Sequence, residues 1–141
     1  MSHTVVGDTS PFLYLHCIGQ INLLPALFGQ VHIPETVSME LCHRGAPAEL
    51  RNWSLNPPSW LLIHDDPADG DPAALRLDAG ESAAIFHAKS LGASLILIDE
   101  RKGARICLQK GFEVTGTLGI LAIAARRGLD VEAQEVVPIQ A

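Results

Sequence analysis

The sequence predicts an α/β fold in which a mainly parallel sheet is buried beneath helices on both faces. Short β-type runs alternate with longer stretches of helical periodicity along the 141 residues, the pattern of βα units joined by right-handed crossovers. Hydrophobic residues make up 48% of the chain but aromatic ones only 5%, so the core is mainly Leu, Ile, Val and Ala, as in strands covered on both sides. Charged residues reach only 18%, which separates the chain from disordered ones. Its length fits one domain, residues 1–141, able to bury a core without disulfides.

Thr4–Gly7 reads as the first strand, followed at once by Asp8. Ser10 as cap and Pro11 in the first helical position open a helix, FLYLHCI, that ends near Gly19. INLLPALF contains Pro25 and predicts two short helical pieces or one kinked helix. Val31–Ile33 is a second strand closed by Pro34; PETVSMELCHR follows as a helix with Val37, Leu41 and Met39 as inward candidates. Residues 46–53 suit a helix, broken by Asn56-Pro57-Pro58, and Trp60–His64 a strand. HDDPADGDP is an acidic loop that fails the calcium-loop pattern, because the third position counted from Asp66 is Ala68.

The second half is more regular. Gly80–Leu91 is helical with Ala84, Ile85, Ala88 and Leu91 on one face, and Gly92 ends it. Leu95–Ile98 is a β-type run, Arg101–Lys110 a helix stopped by Gly111, and Phe112–Thr115 a short strand. Thr117 suits the cap of a last helix, Leu118–Arg127, whose final Arg126 and Arg127 complement the helix dipole. The tail from Leu129 to Ala141 offers an edge strand through Val136 and Val137.

Several functions drop out. Cys17, Cys42 and Cys107 are odd in number and lack a CxxC pair, so buried thiols are expected rather than a zinc site or disulfide framework. No apolar stretch is long enough to span a membrane, and MSHTVVGDTS lacks a signal-peptide pattern; a cytoplasmic protein is expected. The six histidines are scattered without HExxH spacing, and none is assigned to catalysis. GxGxxG, GxxxxGK[ST] and GxSxG are missing, which removes the common nucleotide-binding and serine-hydrolase readings. The net charge of −6 argues mildly against wrapping nucleic acid by charge alone. Its distribution is uneven: Asp65, Asp66, Asp69 and Asp71 crowd one loop, and Arg101, Lys102, Arg105 and Lys110 another segment.

In a parallel α/β sheet, ligands gather outside the carboxyl ends of the strands. Asp8 follows the first strand, and Asp99-Glu100 follows LILI, so both fall at that edge. Glu40 lies within the helix after the second strand and Glu81 in the first turn of a long helix. Singly, these acids have structural explanations in capping, the helix dipole, solvent exposure or a turn. Together in one crevice they would repel and raise one another's pKa unless a cation neutralised them. Mg²⁺ or Mn²⁺, hard and oxygen-loving, suits that role.

VVGDTSPFLYL, VHIPETVSMEL and the run from GESAAI through IDERKGAR to GTLGIL resemble the PIN domain family, in particular its short prokaryotic toxin-like subgroup. The resemblance covers nearly the whole chain, with residues 45–78 matching loosely. It implies a three-layer α/β/α sandwich with a central, mainly parallel sheet. It also implies an acidic pocket for Mg²⁺ or Mn²⁺ and endoribonuclease activity, as the toxin of a toxin–antitoxin pair. On that pattern Asp8, Glu40, Glu81 and Asp99 hold metal or orient the attacking water; Glu100 stands where many members carry the fourth acid, so either it or Asp99 fills that place. Thr9 or Ser10 supplies a hydroxyl near the first acid. The partners implied are an RNA substrate, a small antitoxin and a second copy of the chain, with INLLPALF as one dimer surface and the core as its other destination.

Arg101, Lys102 and Arg105 begin the helix after Asp99 and are candidates for holding RNA phosphates. Thr115 and Thr117 around Gly116 are candidates for phosphate contact at a helix N-terminus, or for turn and capping roles. The main alternative is a catalytically silent RNA-binding or protein-interaction module on the same fold. A haloacid-dehalogenase-like phosphatase needs a second Asp two residues after the first, and that position holds Ser10.

Overall fold

The computed structural model describes residues 4–43, 45–67 and 75–129. Five strands form one sheet: β1 (Val5–Gly7), β2 (Val31–Pro34), β3 (Leu61–His64), β4 (Leu95–Leu97) and β5 (Glu113–Thr115). Their order is β3-β2-β1-β4-β5 and every pairing is parallel. The helices are α1 (Thr9–Cys17), α2 (Leu23–Phe28), α3 (Glu35–Leu41), α4 (Ala48–Arg51), α5 (Ala79–Leu91), α6 (Arg101–Gln109) and α7 (Thr117–Arg126). They cover the sheet to give the expected three-layer α/β/α sandwich. The chain builds outward from β1 to β3, then returns through α5 to place β4 on the other side of β1. The strand order therefore reverses between β1 and β4, where α/β sheets open a crevice for ligands.

The core is aliphatic, as the composition requires. Val5, Val6, Val31, Ile33, Ile96 and Leu97 supply its strand layer, and Leu15, Leu24, Leu41, Ile85 and Ile120 pack from the helices. Phe12 is the buried aromatic exception. It lies against β1, and a Cβ at Gly7 would come within 2.7 Å of its ring, so glycine is what lets strand and ring approach. Gly92, with φ near 63° at the end of α5, takes the left-handed conformation that stops the helix before β4.

Several sequence expectations are corrected. Helix α1 starts at Thr9 with Asp8, not Ser10, in the capping position. Pro11 is its third residue, still in the first turn, where an N–H has no intrahelical acceptor. The same reasoning explains α2: Pro25 is its third residue, so one unbroken helix forms instead of two pieces or a kink. Leu23, Leu24 and Leu27 of INLLPALF are buried in the core, one of the two destinations expected for that segment. The 46–53 segment is helical only over Ala48–Arg51, continuing as a 3₁₀ turn over Asn52–Ser54. Met39 is 63% exposed, and Leu91 is also at the surface, each lying off the buried stripe of its helix. Cys107 is buried, but Cys42 is half-buried and Cys17 exposed. Gly116, not Thr117, caps α7. The Val136–Val137 edge strand and Ala68, Asp69 and Asp71 lie outside the described residues. No helix among the described residues is long and apolar enough to cross a membrane.

Candidate active site

Asp8 leaves β1 beside the end of β4: its N–H donates to the Leu97 carbonyl at 2.9 Å. The ladder thus fixes its backbone at the reversal point of the sheet. Asp8 is only 4% exposed, and its carboxyl forms no helix-capping bond. Burial pushes that carboxyl up to about 7; the adjacent Thr9 N–H opposes the rise, and the charges of Asp78, Glu40 and Asp99 add to it.

Glu81 enters from the first turn of α5, where the capping carboxylate of Asp78 accepts the Glu81 N–H at 2.8 Å. That bond settles the helix start and leaves the Glu81 side chain for another purpose. Glu81 is 8% exposed, and its Oε2 is buried with no hydrogen-bond partner. Burial first, then Asp78, Asp8 and Glu100, push its carboxyl up to about 9. Two acids with such different neighbours in sequence thus share one uncompensated environment.

Glu40 reaches the same place from α3. It accepts the Thr9 hydroxyl and lies over the N-terminus of α5, where a Cβ at Gly80 would fall 2.1 Å from Glu40 Oε1. Asp99 sits at the rim, taking the Thr117 N–H and Oγ1–H, each at 2.7 Å, with the Cα of Gly116 making room for it. Glu100 caps α6 by accepting the Gly103 N–H at 2.7 Å. Backbone N–H groups of Lys102 and Gly103 hold its carboxyl below the ordinary range. A Cβ at Gly103 would lie 3.1 Å from Glu81 Oε2 and 3.6 Å from Glu100 Oε2. Three glycines, Gly80, Gly103 and Gly116, therefore leave space that carboxylates occupy.

The structure brings Asp8, Glu40, Glu81, Asp99 and Glu100 to one end of the sheet, and adds Asp78, which sequence reasoning missed. Its signal was present: Asp78-Ala-Gly-Glu81 has capping-box spacing. Arg101 and Arg105 are exposed on α6, whereas Lys102 donates to the Arg76 carbonyl at 3.0 Å. Thr117 does not present free donors to a phosphate, since both serve Asp99. A groove of about 970 Å³, bordered by Thr4, Phe28, Gln30, Ser94, Glu113 and Arg127, opens at the opposite, amino end of the strands, away from these acids.

A divalent cation fits this chemistry. The donors are oxygens, Glu81 Oε2 is a buried orphan, and the raised carboxyls lack a compensating charge. Among the described residues no three acidic, histidine or cysteine side chains form a ready-made cage. Magnesium usually takes one or two carboxylates and completes its shell with water and phosphate, so a closed cage is not required.

A family model described as a PIN domain matches residues 4–138. No curated protein matches the chain.

Proposed function

The chain belongs to the PIN domain family, and on that premise we propose that it is an endoribonuclease dependent on Mg²⁺ or Mn²⁺. PIN domains are generally nucleases. The observation carrying the finer reading is the buried, partnerless Oε2 of Glu81 beside the raised carboxyl of Asp8, at the reversal point of the sheet. Asp8 and Glu81 would hold the ion, with Asp99 or Glu100 completing the protein's share. A bound ion activates water for attack on phosphorus and stabilises the departing oxygen. Glu40, which accepts the Thr9 hydroxyl, would orient that water; Arg101 and Arg105 would hold flanking phosphates. Hydrolysis leaves a phosphomonoester on one RNA fragment and a hydroxyl on the other.

The toxin reading, with a small antitoxin, a homodimer and a cytoplasmic setting, is supported by the GESAAI, IDERKGAR and GTLGIL runs. Incubation with single-stranded and hairpin RNA tests the activity. Cleavage is expected with Mg²⁺ or Mn²⁺ and not with EDTA. Cleavage that persists in EDTA, or RNA binding without cleavage at every ion concentration, would overturn the proposal, the latter in favour of the silent module.

Ion binding should also release protons. At pH 7.5 the ion-free Glu81 holds its proton and Asp8 is partly protonated, yet both must ionise to ligate. Calorimetric titration in buffers of different ionisation enthalpy should show release of about one proton per ion, and affinity should rise from pH 6 to 9. In Glu81→Gln the release should fall well below that of the native chain. A buffer-independent enthalpy for the native chain would show that the ion displaces no carboxyl proton.

A further inference from the structure

Three of the six histidines, assigned to nothing above, meet on the β2–β3 side of the sheet. His32 lies opposite Leu62 and Pro34 opposite His64, so His32 and His64 share a sheet face. His87 comes to them from α5. His32 Nδ1 and His64 Nε2 are 2.8 Å apart, an N–H···N hydrogen bond in which one ring donates to the lone pair of the other. The His87 ring centroid lies 4.9 Å from that of His64. His87 is 3% exposed, and its Nε2 is buried with no hydrogen-bond partner. The helix that carries it also presents Glu81 from its first turn.

We propose that His32, His64 and His87 form an acid-sensitive latch, which holds α5 against β2 and β3 while the rings are neutral and releases it once they take up protons. The contact suits the uncharged state. An imidazolium donates from both nitrogens, so a proton on the accepting ring would set two N–H groups against each other across 2.8 Å. A protonated His87 has a donor at Nε2, where no acceptor stands, and adds a cation 4.9 Å from the His64 ring. One opposite charge is near: Asp66, which accepts the Thr36 N–H and hydroxyl, favours the charged His87, but burial and the two other rings outweigh it. β1 and β4, which also contact α5, bring it no titratable side chain. Glu40 of α3 lies over the first turn of α5, while Lys89 of α5 and the cations of α6 are exposed. Burial and the neighbouring rings accordingly lower His87 from 6.5 to about 4 and hold His32 below its ordinary value. The folded chain thus binds these protons less readily than the unfolded one. The stability that the cluster contributes is whole above about pH 6.5 and is lost as pH falls towards 4. The acidic pocket runs the other way, since its raised carboxyls favour the metal-free fold at low pH.

The latch needs neither RNA nor an ion, so it is tested on the full chain in EDTA, apart from the nuclease reading. The native chain is compared with His87→Gln and His64→Gln between pH 7.5 and 5; glutamine keeps a polar group and does not titrate. The acidic pocket is common to all three proteins, so the comparison isolates the rings. On acidification the melting temperature of the native chain should fall by at least about 4 °C relative to His87→Gln. Relative to His64→Gln, which leaves His87 buried and titratable, it should fall by at least about 2 °C. Hydrogen exchange of the α5 amides, corrected for its intrinsic pH dependence, should lose at least about tenfold more protection in the native chain than in His87→Gln. His87 is buried, so the half-buried His64 carries the test should His87→Gln fail to fold. Equal losses in the native chain and the variants, or ring-nitrogen NMR showing His87 already protonated at pH 6 in the folded chain, would overturn the proposal and leave the nuclease reading intact.

Discussion

Asp8→Asn is expected to abolish RNA cleavage while making the metal-free protein more stable at neutral and alkaline pH. Cleavage should fall by at least about 100-fold, since removal of even an outer-shell support for a metal commonly costs 10–100-fold. The stability effect follows from linkage. In the folded chain the Asp8 carboxyl is raised from its ordinary 3.8 to about 7, so the native state binds its proton more tightly than the unfolded chain does. The associated stability is fully present below about pH 4 and is lost as pH rises through 7. Above that pH the native chain carries a buried, repelled carboxylate, at a cost on the order of 2–4 kcal/mol. Asparagine keeps the size and does not ionise. Metal-free Asp8→Asn should therefore match the native chain near pH 4 and melt at higher temperature at pH 8. Saturating Mg²⁺ or Mn²⁺ should raise the melting temperature of the native chain at pH 8 and leave the variant nearly unmoved. A variant less stable than the native metal-free chain at pH 8 would show that Asp8 serves the fold rather than an ion.

The pairing of stability gained with activity lost explains what the sequence could and could not show. Asp8 and Asp99 were legible because each directly follows a β-type run, and the parallel-sheet rule places such positions at the ligand edge. Glu40 and Glu81 carry no such local mark. Glu81 looks like an ordinary first-turn acid, and only the fold shows that Asp78 has already capped the helix and that Glu81 Oε2 is stranded. The helix starts were shifted for a related reason. Ser10-Pro11 has the local form of a cap and first residue, but the β1–β4 ladder fixes Asp8 through its N–H, and the helix begins directly after it. Met39 and Leu91 are hydrophobic but exposed, because hydrophobicity alone does not fix which stripe of a helix meets a neighbour.

The histidines are the extreme case. His32, His64 and His87 are separated by tens of residues and come from two strands and a helix, so no linear spacing could reveal them. The two clusters also illustrate opposite responses to burial. Burial raises the Asp8 and Glu81 carboxyls and lowers His87, in each case toward the neutral form.

Gly80→Ala separates placement of the acids from stability of the fold. Gly80 lies in the first turn of α5, buried, with a backbone that alanine can adopt. The added Cβ would meet Glu40 Oε1 at 2.1 Å, the carboxyl carbon at 2.6 Å and Oε2 at 2.7 Å. All three atoms are the far end of a flexible side chain, so Glu40 would swing away while the helix stays. Alanine in place of glycine would itself contribute up to about 1 kcal/mol to the helix, offsetting the loss of the Thr9 hydroxyl bond. Melting temperature should thus remain close to that of the native chain. Cleavage should drop at least about tenfold, because catalytic groups tolerate little displacement. Glu40→Gln should lose activity to a similar extent, and adding Gly80→Ala to it should lose little more, as expected for two changes acting on one carboxylate. Full activity in Gly80→Ala, or multiplied losses in the double variant, would show that the close approach of Gly80 and Glu40 has no part in the reaction.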